Sequence, residues 1–77
     1  MNEVVEQIKK TIHSILGDKA SDIFLGRVAK VLDDGAKDKA TLTEACARIE
    51  KMVNLFIGTD EAKVIGSRCK EILNKLP

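Results

Sequence analysis

The sequence predicts an all-α protein, a compact four-helix domain with a bundle-like arrangement, and three observations lead to that prediction. Apolar residues recur at spacings of three and four along most of the 77 residues, which is the period of one face of a helix. Glycines at positions 17, 35 and 58 interrupt this period and divide the chain into four segments. Aromatic residues make up only 3% of the chain, and a composition rich in Ala, Leu, Ile, Glu and Lys favours helix over strand. The expected helices of this single domain, residues 1–77, span about residues 2–16, 18–34, 41–57 and 59–76.

The first helix is expected to begin at Asn2 and to end before Gly17. Asn2 can cap its N-terminus, and the carboxylates of Glu3 and Glu6 lie in the first turn, where they face the positive end of the helix dipole. Gly17 can adopt the left-handed conformation that closes a helix. The apolar stripe of this helix comprises Met1, Val5, Ile8, Ile12 and Ile15.

The second helix is the most apolar stretch of the chain, and we interpret it as the helix against which the other three pack. Asp18 is expected to cap it. Its apolar residues cover roughly two-thirds of the helix circumference, far more than the single stripe of a surface helix. Such a helix needs neighbours on two sides or a partner chain. The apolar residues are Ala20, Ile23, Phe24, Leu25, Val28, Ala29, Val31 and Leu32.

A loop over residues 35–40 is expected before the third helix. Thr41 and Glu44 have the spacing of a capping box, in which a hydroxyl and a carboxylate each satisfy a backbone N–H group. Gly58 is expected to end the third helix, and Thr59 to begin the fourth. The inward stripe of the third helix comprises Leu42, Cys46, Ile49, Val53 and Phe56, widened by Ala45, Met52 and Ile57. That of the fourth comprises Ala62, Ile65, Cys69, Ile72 and Leu76.

Two pairs of residues inside the helices call for an explanation. Gly26 and Gly66 each cost about 1 kcal/mol relative to alanine in a helix interior, and we attribute both to close contact between helices. Cys46 and Cys69 lie almost equally far from Gly58, so a hairpin at Gly58 would bring both thiols to the same height. We interpret them as buried, inert thiols, with a redox-switched disulfide as the alternative.

No set of residues in the sequence indicates catalysis or a bound cofactor. His13 is the only histidine and is expected on the flank or the outside of the first helix, without a nucleophile beside it. The two cysteines do not form a CxxC pair, so no metal site is expected. No P-loop, dinucleotide-binding or calcium-binding motif is present. We therefore expect a protein that is not an enzyme and that uses no cofactor.

The charge balance argues against nucleic acid as the partner. Lys and Arg total 13 and Asp and Glu total 12, without a basic cluster of the kind that contacts a phosphate backbone. A small DNA-binding transcriptional regulator is the alternative function, because short helix–turn–helix joints are present. No stretch is long and apolar enough to cross a bilayer and no export signal is recognised, so we expect a cytoplasmic protein.

Several apolar residues do not fit a single inward stripe. They either cover a central helix or form a surface that binds a partner protein or a second copy of the chain. The expected function is therefore protein–protein interaction or regulation through an apolar helix ridge, including self-association. The candidate interface residues are Leu25, Ala29, Leu32, Leu55 and Val64.

Residues 15–31 and 40–73 carry a pattern that resembles the small helical modules appended to bacterial signalling proteins such as serine/threonine kinases and response regulators. The shared features are an apolar helix, a glycine with Ala20 three residues later, a second apolar helix, and a helix start with the sequence Thr41-Leu42-Thr43-Glu44 before a final helix. This resemblance implies a regulatory or docking role and assigns no catalytic residue.

Overall fold

The computed structural model describes residues 2–76, which form four α-helices and, among those residues, no strand. The predicted all-α four-helix fold is confirmed. Met1, assigned above to the first apolar stripe, lies outside the described residues. The helices are α1 (Asn2–Leu16), α2 (Asp22–Asp34), α3 (Lys39–Phe56) and α4 (Thr59–Asn74), and a single 3₁₀ turn, Gly17–Lys19, follows α1.

The helices form a four-membered ring in which each packs against two neighbours. α1 contacts α2 and α4, and α3 contacts the same two helices, while in residues 2–76 the diagonal pairs do not meet. Neighbouring helices run antiparallel. Along α2 and α3, for example, Phe24 lies against Phe56 at one end of the pair, and Gly35 against Ala45 at the other.

The prediction that the second helix is the one around which the others pack is wrong. The most extensive contact joins α3 to α4, and both contacts of α2 are smaller than those of α4. α2 does have neighbours on two sides, as expected, but only Val28 and Leu32 of its apolar residues are buried. The apolar content of a helix measures how much surface it could bury, and α2 carries more apolar surface than its two neighbours cover.

The core is aliphatic apart from two cysteines, and no polar or charged side chain of the described residues is buried in it. Phe24 was expected among the apolar residues of the second helix and Phe56 on the inward stripe of the third. Phe24 is half-buried against the core, whereas Phe56 is exposed. The assignment of Phe56 to the core is therefore wrong. The buried residues are Val5, Ile8, Ile12, Leu16, Val28, Leu32, Leu42, Ala45, Cys46, Ile49, Val53, Ala62, Ile65, Cys69, Ile72 and Leu73.

The connection between α1 and α2 is longer than predicted. Gly17 has a φ of +51°, the left-handed conformation expected of it, and it starts the 3₁₀ turn. Asp18 lies within that turn, so it does not cap α2. The cap is Ser21, whose hydroxyl oxygen accepts a hydrogen bond from the Phe24 backbone N–H at 3.1 Å.

A capping box begins α3, but its cap is Asp38, three residues before the predicted cap Thr41. The Asp38 carboxylate accepts the Thr41 backbone N–H at 2.8 Å, and the Thr41 hydroxyl accepts the Asp38 N–H at 3.1 Å. Thr41 is therefore the third helical residue and not the cap, and Glu44 is not part of the box. The Thr41 hydroxyl also donates to the Gly35 carbonyl at 2.7 Å, which closes the hairpin. The hydrogen bonds from Thr41 lower the pKa of Asp38.

Ion pairs between distant residues connect the ring. The Lys19 ammonium, in the 3₁₀ turn, lies 2.6 Å from a Glu61 carboxylate oxygen in the first turn of α4. The hydrogen bond between them raises the pKa of Lys19 and lowers that of Glu61. Lys9 of α1 bonds Asp33 of α2 at 2.8 Å. None of the helices within residues 2–76 combines the length and the apolar character needed to span a bilayer.

Close packing explains only one of the two glycines inside helices. A Cβ atom on Gly66 would lie 2.6 Å from a carboxylate oxygen of Glu50, so α4 does approach a side chain of α3 there. A Cβ atom on Gly26 would meet nothing within 4 Å, so the prediction of a close helix contact at Gly26 is wrong. Gly35, which the sequence indicated only as a helix stop, is also tightly enclosed, because a Cβ atom there would lie 2.8 Å from the Cβ of Ala45 and 3.0 Å from the Thr41 carbonyl oxygen.

Cys46 and Cys69 face each other between α3 and α4, as their nearly equal sequence separations from Gly58 predict. Both are free and buried. A hydrogen bond to Cys46, together with burial, raises the pKa of the Cys69 thiol. Thiolate is the reactive form of cysteine, so this environment disfavours reaction at Cys69. The same hydrogen bond lowers the pKa of Cys46, and burial is what protects that thiol.

We expect both thiols to react with an aromatic disulfide reagent only when the helices separate. At pH 8 the native protein should be labelled at least about 10³-fold more slowly than the protein in guanidinium chloride, since opening costs much of the folding free energy. A stopped-flow comparison of the two conditions measures this ratio. Fast labelling of either cysteine in the native protein would contradict the buried assignment.

Candidate functional site

The five candidate interface residues do not form one ridge. Leu32 is fully buried, with 0% exposure, so its assignment to an interface is wrong. Leu25 and Ala29 are half-buried on the side of α2 that faces α1. Leu55 is 78% exposed and Val64 is 43% exposed, as the sequence suggested. Leu32 is covered because α2 directs its last turns, and not its first, into the centre of the ring.

Leu25 and Ala29 line a shallow cavity between α1 and α2. His13 lies at this cavity with Lys9, and its exposed side chain agrees with the expected position on the flank of α1. Within residues 2–76 no three His, Cys, Asp or Glu side chains converge as metal ligands would.

The largest exposed apolar side chains lie instead at the other face of α2, where it meets α3. Ile23 is 75% exposed and Phe56 is 72% exposed. Together with Phe24 and Met52 they line a cavity of about 170 Å³ between the first turn of α2 and the last turns of α3. Leu55 lies one turn beyond Met52 and next to Phe56, so it extends the same flank. We call the surface formed by Ile23, Phe24, Met52, Leu55 and Phe56 the α2–α3 patch.

The two phenyl rings lie in the middle of this patch. The centroids of Phe24 and Phe56 are 6.1 Å apart and their planes meet at 66°, an edge-to-face arrangement that aromatic pairs favour. Ser21 positions the first ring, because its hydroxyl fixes the backbone N–H of Phe24 and so the start of α2. The second ring is positioned by the end of α3, where the N–H groups of Ile57 and Gly58 both bond back to the Val53 carbonyl.

Local sequence accounts for the exposure of the patch. Phe56 shares its helical phase with Ile49 and Val53, which are buried, but it lies in the last turn of α3. Few side chains remain opposite that turn, so phase alone does not bury it. Ile23 lies in the first turn of α2 at the rim of the cavity shared with α3, where no side chain covers it.

The charges beside the patch are mainly basic. Arg27 lines the cavity with Ile23 and Phe24. Lys30 follows one turn later on α2, and Lys51 precedes Met52 on α3, one turn from Leu55. All three are exposed. Across residues 2–76 the ion pairs join Lys9 to Glu6 and Asp33 and Lys19 to Glu61, so none involves these three side chains.

The opposite end of the groove between α2 and α3 has a different character. A second cavity, of about 230 Å³, lies there between the last turn of α2 and the first turns of α3. Asp34, Glu44 and Arg48 line it, so it is polar. The groove is therefore apolar with basic neighbours at one end and mixed in charge at the other.

Sequence reasoning missed four of the five patch residues, because it placed Ile23, Phe24, Met52 and Phe56 on stripes that face neighbouring helices. One signal was available. Ile23 with Phe24, and Leu55 with Phe56, are adjacent apolar pairs in terminal turns, and adjacent residues lie about 100° apart on a helix, so one neighbour cannot cover both.

Comparison of this chain with protein-family models, with curated proteins and with solved structures finds no match in any of the three. A proposal for the function therefore has to rest on the geometry of the α2–α3 patch.

Proposed function

We propose that this chain is a non-catalytic protein-interaction module and that the α2–α3 patch is its binding surface. One observation carries the proposal. Ile23, Leu55 and Phe56 are exposed beside the half-buried ring of Phe24, and the buried core of the described residues contains no aromatic side chain. An aromatic ring left out of the core of so small a domain gives up folding energy. Fully burying one large apolar side chain contributes about 1.5 to 3 kcal/mol, which a partner can recover on binding.

The shape of the patch suits a protein partner. Interfaces are enriched in aromatic side chains and methionine near their centre, and a concave site that takes an inserted side chain is where binding energy concentrates. The cavity between Phe24, Met52 and Phe56 offers such a site, and Arg27 supplies a polar rim. A regulatory or docking role would also agree with the resemblance to helical modules of bacterial signalling proteins.

A displayed library of helical peptides, selected against the intact chain, tests this function. We expect selected peptides to lose at least about tenfold in affinity for Phe56→Ser and for Ile23→Ser, because each change removes a central apolar contact. Val64→Ser is the matched control: it also replaces an exposed apolar residue, but on α4, and should change affinity by less than about twofold. Fluorescence anisotropy measures the affinities.

All three variants should keep the helical circular dichroism of the parent, since the side chains they remove are exposed. Peptides that bind equally well to the Phe56→Ser and Ile23→Ser variants would show that binding occurs elsewhere and would overturn the proposed surface. Failure to select any binder would overturn it as well.

A further inference from the structure

The backbone around the α2–α3 patch gives the first indication of the kind of partner that fits it. The patch lies in the groove between two antiparallel helices, and no strand edge exists within residues 2–76 for a peptide to extend. Helical grooves bind amphipathic helices, whose apolar residues at three- and four-residue spacing enter the groove. The apolar end of the groove is lined on this side by residues 21–27, about 10 Å at 1.5 Å per residue, which suits about two turns of a partner helix.

The charges next to the patch determine what should flank that apolar face. Arg27, Lys30 and Lys51 are exposed and make no ion pair with the described carboxylates. Their charges are therefore available to a partner. Arg48 is not counted with them, because it shares its cavity with Asp34 and Glu44.

The nearest acidic residues lie on other sides of the helices or at the other end of the groove. Asp34, one turn after Lys30, lines the second cavity together with Arg48. Asp22 lies two residues before Phe24, about 200° around the helix, so it is on the side of α2 away from α3. Glu61 is paired with Lys19 at 2.6 Å, and the charge of Asp60 also raises the pKa of Lys19. Beside the apolar residues, Arg27, Lys30 and Lys51 are thus cations without an ion pair to a described carboxylate.

This charge distribution separates the alternative occupants. A second copy of the chain, docked patch to patch about a two-fold axis, would bring the cations of one copy against those of the other. An anionic bilayer would satisfy the charges, but it presents no side chain to enter the cavity between Phe24, Met52 and Phe56. A helix with carboxylates beside its apolar face satisfies both the cavity and the charges.

We propose that the partner segment of the α2–α3 patch is an amphipathic helix whose apolar residues enter the groove and whose flanking Glu or Asp residues pair with Arg27, Lys30 and Lys51. This proposal depends on the proposed function. Exposed ion pairs are individually weak, so the apolar contacts supply most of the affinity and the carboxylates supply selectivity and orientation.

The test uses three peptides that share the apolar face of a patch-dependent peptide from the selection and differ only in their flanking residues, which are all Glu, all Gln or all Lys. We expect the Glu peptide to bind about tenfold more tightly than the Gln peptide at low salt, and the Lys peptide to bind weakest. The differences should largely disappear near 1 M salt, where the screening length is about 3 Å.

Charge reversal identifies the residues responsible. Arg27→Glu combined with Lys51→Glu should invert the order, so that the Lys peptide binds tightest. Lys63→Glu combined with Lys70→Glu is the matched control, because it changes the net charge equally at exposed positions of α4. That control should keep the preference for the Glu peptide.

The outcomes separate this proposal from the proposed function. Equal binding of the Glu and Gln peptides, still lost in Phe56→Ser, would overturn the acidic partner and leave the interaction module intact. Loss of all dependence on Phe56 would overturn both. A doubling of the mass in light scattering that depends on the patch would overturn the acidic helix in favour of a second copy. Phe56-dependent sedimentation with phosphatidylserine vesicles, where the Glu peptide fails to bind, would overturn it in favour of a membrane surface.

Discussion

Replacing Leu32 by alanine should lower the free energy of unfolding by about 2 to 5 kcal/mol, the range for removing a leucine from a close-packed core. Leu32 is fully buried and is one of only two buried residues that α2 contributes. Small domains have total stabilities of about 5 kcal/mol at the low end, so much of the protein should unfold at 25 °C. Urea unfolding followed by circular dichroism at 222 nm measures the loss.

Leu55→Ala is the matched control for this experiment, since it makes the same chemical change at a leucine that is 78% exposed. It should alter the free energy of unfolding by no more than about 0.5 kcal/mol. Similar losses in the two variants would mean that α2 is oriented differently from the structure, with Leu32 nearer the surface.

Gly35→Ala should be the second most damaging substitution, at about 1 to 3 kcal/mol, the usual range for overpacking. The added Cβ atom would lie 2.8 Å from the Cβ of Ala45 and 3.0 Å from the Thr41 carbonyl oxygen. Neither atom is the end of a flexible side chain, so α2 and α3 would have to move apart. Thermal unfolding in parallel with the parent protein shows the change as a lower Tm.

Gly26→Ala should act in the opposite direction. Gly26 is exposed inside α2, and a Cβ atom there would meet nothing within 4 Å. The variant should gain about 0.5 to 1 kcal/mol, because alanine is the better helix former and restricts the unfolded chain. A loss of stability at position 26, or none at position 35, would show that the contacts of α2 are misassigned.

The number of helices and most of their ends could be predicted from the sequence because two independent signals coincide. Apolar periodicity defines the helices, and glycine stops it at positions 17, 35 and 58. The prediction fails where two residues compete for one role. Asp18 and Ser21 are both good caps, and only the 3₁₀ turn after Gly17 decides in favour of Ser21.

The same ambiguity explains the misplaced capping box. Thr41 fits as the cap of a box with Glu44, and equally as the third residue of a box with Asp38. The hydrogen bond from the Thr41 hydroxyl to the Gly35 carbonyl favours the second arrangement. That bond exists only once the hairpin of α2 and α3 has formed, so no local rule could include it.

The candidate site was predictable only in part. Leu55 was recognised because it lies off the stripe of its helix, whereas Phe56 was assigned to the core because it lies on the stripe. A periodic pattern takes no account of where a helix ends, and the last turn of α3 has few side chains opposite it. Leu32 was misplaced for the converse reason, because its apparent ridge with Leu25 and Ala29 runs from the flank of α2 into the centre of the ring.

The edge-to-face pair in the α2–α3 patch gives the molecule a built-in spectroscopic label. The chain has two Phe residues and neither Trp nor Tyr, so every phenyl proton resonance arises from this one surface. Ring-current effects within the pair depend on the relative orientation of the rings. A one-dimensional proton spectrum of the unlabelled protein would therefore register any ligand that separates or covers the rings, and would show on which face it has docked.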